Sequence, residues 1–286
     1  MDDTSLDLLR TVAAELSITR AAERLGRAPS NVTTRIQQLE AELGVELFIR
    51  HGKRLALSAQ GERFLDYAQR LLALAEEARQ SLHAERPSGL LRIGTMESAA
   101  ASRLPVPLAR FHARWPQVRL EVSTGPTAQL LERLRQQTID CALVSLPAAI
   151  AAAPLADTGL QSQPVFEEQM LLVLPATHPP VSSPRAVQAG SLAAFAAGCS
   201  YRAFAEQWLA EGGQRLDVQV VGSYHAMLAC VAAGTSACVM PRSVLALCPG
   251  AQLRTLELGT LATQLVWRSG YATPALDTLR DTLANA

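Results

Sequence analysis

At Pro87-Ser88-Gly89 the hydrophobic pattern of this 286-residue chain changes character. Before that point, apart from a short stretch at 47–57, apolar residues recur at helical spacing; after it, strand-like alternation and helical spacing take turns. Proline and glycine together stop a helix, so the tripeptide reads as a linker between a helical N-terminal part and an α/β C-terminal part. The length suits two or three domains, each able to bury its own core.

Residues 4 to 44 carry three helical segments. Leu6, Leu9, Val12, Ala13 and Leu16 define the first apolar face. Thr19 is placed to cap a short helix from Arg20 to Leu25, which Gly26 can terminate. The third segment follows Pro29 and buries Val32, Ile36, Leu39 and Leu43, while Ser30, Thr33, Thr34 and Gln37 fall on another face. Two helices joined by Gly26-Arg27-Ala28, the second exposing small polar side chains, follow the helix-turn-helix plan for reading a major groove. A basic turn comes next, in which Gly52 separates Leu47-Phe48-Ile49-Arg50 from Arg54-Leu55-Ala56-Leu57 as in a two-stranded wing. Pro29, Ser30, Thr33, Thr34, Arg35, Gln37, Arg50, Lys53 and Arg54 are therefore the expected DNA contacts, the basic ones to phosphates and the helix face to bases.

From Ala59 to Arg86 one long helix is expected. Phe64, Ala68, Leu71, Ala75, Ala78 and Leu82 recur at alternating spacings of four and three, the pattern of a coiled-coil seam, and predict dimerisation through this helix. The other reading of the same spacing is a helix packed on its own domain.

Beyond residue 89, strands are expected at Leu91 to Ile93, Val118 to Val122, Asp140 to Leu146, Met170 to Leu174, Asp217 to Val221, Cys238 to Met240, Leu253 to Leu258 and Gln264 to Arg268. Helices fall between them, which indicates parallel strands covered by helices. In such sheets ligands bind where strands end and helices begin. Thr95, Glu97 and Ser98 lie at one such turn, and Ser223, Tyr224 and His225 at another. Ser145, Ser200 and Tyr201 complete the expected effector contacts. Glu97, if it faces such a site, suits a ligand bearing an amine; Arg202 and Arg242 would serve a carboxylate instead.

Basic and acidic residues balance at 26 each, which argues against a whole-surface DNA binder and leaves room for a local basic patch. Between residues 20 and 60, seven basic residues meet four acidic ones, and residues 1 to 19 carry an opposite excess from Asp2, Asp3, Asp7 and Glu15. The five cysteines form no CxxC pair, the five histidines show no metal-ligand spacing, and no nucleophile elbow, HExxH, Walker loop or GxGxxG occurs. No catalytic residues, metal or cofactor are expected, and neither is a membrane partner. Without a basic, apolar leader, a soluble cytoplasmic protein is expected.

The segments Arg20-Ala21-Ala22-Glu23-Arg24-Leu25, Leu39-Glu40-Ala41-Glu42-Leu43-Gly44, Leu47-Phe48-Ile49-Arg50 and Leu57-Ser58-Ala59-Gln60-Gly61 together resemble the LysR-type transcriptional regulators. Where that family commonly opens its recognition helix with Ser-Gln-Pro, this chain has Ala28-Pro29-Ser30. The resemblance implies an N-terminal all-α winged helix-turn-helix over residues 1–60 and a linker and dimerisation helix over 61–88. It implies a periplasmic-binding-protein-like α/β effector domain over 89–286, with lobe I at 89–162 and 265–286 and lobe II at 163–264. The implied function is sequence-specific, effector-controlled transcription regulation, with promoter DNA, a small polar effector, RNA polymerase and further copies of the chain, as dimers or tetramers, for partners. The competing expectation is a cytosolic binding protein or enzyme with an accessory helical domain.

Overall fold

The structure, a computed structural model, describes residues 1–51, 54–81, 87–146, 158–248 and 252–285. These cluster into two compact units, one of residues 1–82 with 136–138 and one of residues 83–135 with 139–286.

The first unit contains α1 (Asp3–Glu15), α2 (Ile18–Leu25), α3 (Pro29–Leu43), β1 (Phe48–His51), β2 (Arg54–Leu57) and α4 (Ala59–Ser81). Helix α2 begins two residues earlier than expected, because Ser17 rather than Thr19 is its cap: Ser17 is extended and its hydroxyl accepts the Arg20 N–H. Gly26 closes that helix with φ at 62°, where a side chain would be strained. Helix α3 opens on Pro29 with no side-chain cap from Ala28, as expected where the usual serine is missing. Leu9 and Val12 of α1, Ala21 and Ala22 of α2, Val32 and Leu39 of α3, and Leu47 are buried together as the core. Burying each larger aliphatic side chain contributes about 1.5–3 kcal/mol.

The strands β1 and β2 pair antiparallel, with Arg50 opposite Leu55, and form the expected wing. Lys53 lies outside the described residues. Gly61 is needed at the start of α4, since a Cβ there would meet the Leu47 carbonyl oxygen at 2.0 Å. Ser58 fixes the same corner, its hydroxyl donating to the Glu46 carbonyl at 2.6 Å and accepting the Gly61 N–H at 2.9 Å.

Helix α4 corrects the seam. Ala68 is fully buried in the core of its own domain and Phe64 packs against that core, so neither presents a surface to a second helix. The outward apolar stripe consists of Tyr67 (60% exposed), Leu71 (42%) and Leu74 (56%), followed by exposed Ala78. Of the expected seam, Leu71 and Ala78 remain on it, Ala75 is half-buried, and Leu82 lies outside the described residues.

The second unit contains, in order, β3 (Gly89–Thr95), α5 (Glu97–Ser102), α6 (Pro105–Arg114), β4 (Val118–Thr124), α7 (Thr127–Arg135), β5 (Cys141–Ser145), β6 (Leu160–Pro175), β7 (Ser191–Ala194), α8 (Ser200–Glu211), β8 (Asp217–Val220), α9 (Tyr224–Ala232), β9 (Ser236–Pro241), α10 (Arg242–Leu245), β10 (Leu253–Arg268) and α11 (Pro274–Ala284). Its eight strands are ordered β4-β3-β5-β10-β6-β9-β7-β8. The outer strands on each side pair parallel, as the alternating pattern predicts. The centre differs: β6 and β10, 16 residues each, pair antiparallel along their length. The two strands expected at 253–258 and 264–268 are thus one. One end of this ribbon pairs with β5 and the other with β9, which gives the sheet two halves. Register irregularities fall between Thr263 and Gln264 and between Glu257 and Gly259, where the ribbon passes from one half to the other. Separate apolar cores lie over the halves, one around Phe111, Leu143 and Leu279, another around Leu172, Leu192 and Leu209.

Candidate DNA-reading face and ligand cavity

On α3 the buried Val32, Ile36 and Leu39 leave Ser30, Thr34 and Gln37 exposed, with Pro29 exposed at the helix start and Thr33 half-buried. Thr33, Gln37 and Arg50 line one hollow of about 120 Å³ between α3 and the wing, so the polar helix face and the wing base belong to one surface. Glu40, which the sequence did not single out, holds them together. Its Oε1 accepts the N–H of Leu47 at 2.7 Å and of Phe48 at 3.0 Å. Two exposed amides on α3, Asn31 and Gln38, lie outside the expected arc. Thr33 donates to the Pro29 carbonyl at 3.0 Å, a local bond it must give up to read a base.

The basic residues divide into two groups. Arg20 and Arg24 both pair with Glu15, Arg24 at 3.0 Å. Arg35, an expected DNA contact, instead reaches back to α1, pairing with Asp2 and donating to the Ser5 hydroxyl. The same Asp2 accepts from the hydroxyl and N–H of Ser5, which holds its carboxyl below the ordinary carboxylate range. Of the four acidic residues in 1–19, Asp2 and Glu15 thus pair directly with Arg35, Arg20 and Arg24, while Asp7 pairs with Arg10 and Asp3 with Arg79. Among the described residues, Arg27, Arg50 and Arg54 have no acidic partner and remain available to phosphates.

The second unit holds a cavity of about 400 Å³, within the range of small-molecule sites. It opens where the two halves of the sheet face each other. Its walls come from Met96 and Glu97, from 124–127 ahead of and into α7, from Phe195, Ala196 and Cys199 through Tyr201 at the start of α8, and from 220–222 and Tyr224 at the start of α9. Most of that lining is apolar. Polar bonds between the halves close its floor: the Ser200 hydroxyl donates to the Ser145 carbonyl at 2.5 Å and lies 2.7 Å from Thr127 Oγ1, and the Ala128 N–H donates to the Gly198 carbonyl at 3.3 Å. Phe195 meets Tyr224 edge to face, ring centroids 5.0 Å apart.

Of the expected effector contacts, Glu97, Ser200, Tyr201 and Tyr224 line the cavity. The side chains of the others do not line it. Thr95 is buried and donates to the Met96 carbonyl; Ser98, also buried, donates to the Tyr201 hydroxyl at 3.5 Å. Ser145 lends only its carbonyl to the floor, Ser223 caps α9 through the Ala226 N–H, and His225 is exposed. Burial raises the Glu97 carboxyl above the ordinary range, opposed by the nearby Tyr224 backbone and by His225. Burial likewise pushes up the Cys199 thiol. No group of three or more residues able to hold a metal ion occurs among the described residues.

A winged helix-turn-helix and a cavity-bearing α/β unit in one chain are the architecture of a DNA-binding regulator. Residues 4–62 match the family described as "Bacterial regulatory helix-turn-helix protein, lysR family", and residues 84–286 match "LysR substrate binding domain". The chain belongs to the LysR family of transcriptional regulators. It is 37% identical over 243 residues to the HTH-type transcriptional regulator GltR of Bacillus subtilis (strain 168), covering 84% of this chain and 80% of that protein. It is also 28% identical over 300 residues to the HTH-type transcriptional regulator SoxR of Arthrobacter sp. (strain TE1826), covering 100% and 98%. Among solved structures, the LysR family regulator CbnR shares the fold with a TM-score of 0.71 at 22% identity, covering 100% of this chain and 99% of that one. A full-length OxyR variant of Pseudomonas aeruginosa gives 0.72 at 23%, covering 99% and 94%.

Proposed function

We propose that this regulator reads promoter DNA with α3 and the wing, as a dimer or tetramer, and changes its hold on DNA when a small molecule fills the cavity of the second unit. The observation that carries this reading is the single surface formed by Thr33, Gln37 and Arg50, with Arg27 and Arg54 unpaired in the same domain. The parts divide as residues 1–60 for DNA, 61–88 for pairing of copies, and 89–286 for the effector, with lobes at 89–162 plus 265–286 and at 163–264. Tyr67, Leu71 and Leu74 form the pairing stripe. The effector favours one arrangement of the lobes, and that differential affinity is what reaches the DNA. Its setting is the cytoplasm, and RNA polymerase is its further partner at the promoter.

A mobility-shift titration with DNA from upstream of the coding gene, against a scrambled competitor, tests the reading. Wild-type protein is expected to shift the native fragment selectively, and Thr34→Ala combined with Arg50→Ala to abolish that selectivity. An unchanged selective shift by the double variant contradicts it.

A further inference from the structure

The cavity lining contains one charged side chain, the Glu97 carboxylate, and no arginine, lysine or histidine. The neighbouring cations are committed elsewhere. Arg202 donates to Glu206 at 2.9 Å and to the Phe195 carbonyl at 3.4 Å, and Arg242 pairs with Glu257 and Gln169. The start of α9, whose free N–H groups would suit an anion, lies beside the same carboxylate, and the Tyr224 backbone favours its charged form. A carboxylate ligand would thus enter a mostly apolar space that already holds the Glu97 carboxyl and has no arginine, lysine or histidine among its lining residues. The opposite charge fits. Glu97 stands at the half-buried mouth of a wall that carries the Phe195 and Tyr224 rings, and a carboxylate beside aromatic faces is the environment in which organic cations are bound.

Resting on the reading of this cavity as the effector site, we infer that the effector is an organic ammonium ion with an apolar body, its nitrogen held by Glu97 and its body seated among Met96, Phe195 and Val221. The charge is taken by the one carboxylate, and the body replaces water in the apolar remainder.

The test is calorimetric titration of the full-length protein with a matched panel: phenylethyl, indolylethyl and isoamyl bodies, each carried as the ammonium, carboxylate and alcohol. Wild type, Glu97→Gln and Ala196→Trp are compared, the last filling the cavity without touching the carboxylate. At least one ammonium is expected to bind tenfold or more tightly than its carboxylate and alcohol counterparts. Glu97→Gln should remove that preference and Ala196→Trp should abolish binding. A carboxylate or alcohol that binds as tightly as the ammonium, and is lost in Ala196→Trp, overturns the ammonium assignment while leaving the cavity as the effector site. An ammonium whose affinity changes less than twofold in Glu97→Gln overturns the role of Glu97. Failure of every panel member to bind overturns both the assignment and the reading of the cavity.

Discussion

Arg103 and Glu168 form a two-pronged ion pair: Nε donates to Oε1 at 2.7 Å and Nη2 to Oε2 at 3.1 Å. Glu168 is 1% exposed and sits on the long strand β6, while Arg103 directly follows α5. Ser243 of α10 donates to the same carboxylate at 2.7 Å, and Ser102 donates to Ser243 at 3.1 Å. Helix α5 is therefore tied at one end to the central ribbon and to the second half of the sheet, while its other end carries Glu97.

Removing one member of this pair strands the other. Arg103→Ala is expected to destabilise the second unit by about 3 kcal/mol, because the Glu168 carboxylate stays buried without its cation. Glu168→Gln is expected to cost less, since the half-exposed guanidinium can turn to water. Urea unfolding of both single variants and the double variant checks this. A double variant as unstable as the sum of the singles would show that the pair is not coupled.

Glu40 makes the second prediction. Glu40→Ala leaves the N–H groups of Leu47 and Phe48 without their acceptor, for an expected loss of about 1–3 kcal/mol in the first unit. DNA affinity should fall with it, since the wing loses its attachment to α3, and Glu40→Gln should recover most of both. Thermal melting and DNA titration of the two variants decide; equal losses in the Gln and Ala variants would count against the acceptor role.

On α4, Leu71→Glu and Leu74→Glu are expected to yield monomers that melt near the wild-type temperature, because both side chains face outward. Ala68→Glu should unfold the domain, its position being fully buried. Sedimentation with circular dichroism separates these cases. A dimer that survives both leucine substitutions would place the contact elsewhere.

Acidity should govern ammonium binding with a definite sign. Because burial raises the Glu97 carboxyl, the empty cavity favours the neutral acid more than solvent does, whereas an ammonium ion favours the carboxylate. Affinity is therefore full above that raised value, falls as pH drops through it, and binding near it releases a proton. His225 and Tyr224 from α9, and Cys199 just ahead of α8, face the same carboxyl. Titration across pH 5 to 8 in wild type and Glu97→Gln isolates the contribution; a slope that persists in the Gln variant assigns it to one of those neighbours.

The first unit was legible where local pattern dominates. Val32, Ile36 and Leu39 mark the buried side of α3 by spacing alone, and Gly26 marks the end of α2 by chemistry. The direction in which α4 faces was not legible, because Phe64-Ala68-Leu71 and Tyr67-Leu71-Leu74 share one period and only contact with α1 decides between them. In the second unit, β7 is made of Ser191, Leu192 and two alanines, too little side chain to show alternation. Strand β6 begins ten residues ahead of the expected one, since Gln161 to Gln169 is polar on its exposed side and pairs with β10 across a hundred residues of chain. The cavity was half legible: strand ends pointed to Glu97, Tyr201 and Tyr224, but Phe195, Val221 and Pro126 arrive from loops whose meeting depends on the tertiary fold.

Selection of genomic DNA fragments by the full-length protein, followed by sequencing and footprinting at several salt concentrations, tests the DNA-reading claim most directly. Wild-type protein is expected to enrich fragments that share paired half-sites spaced by whole helical turns. Thr34→Ala with Arg50→Ala should lose that enrichment, and Arg50→Ala alone should lower the salt slope by about 0.9 for each half-site. Enrichment of the same fragments, with the same salt slope, by wild type and double variant would contradict it.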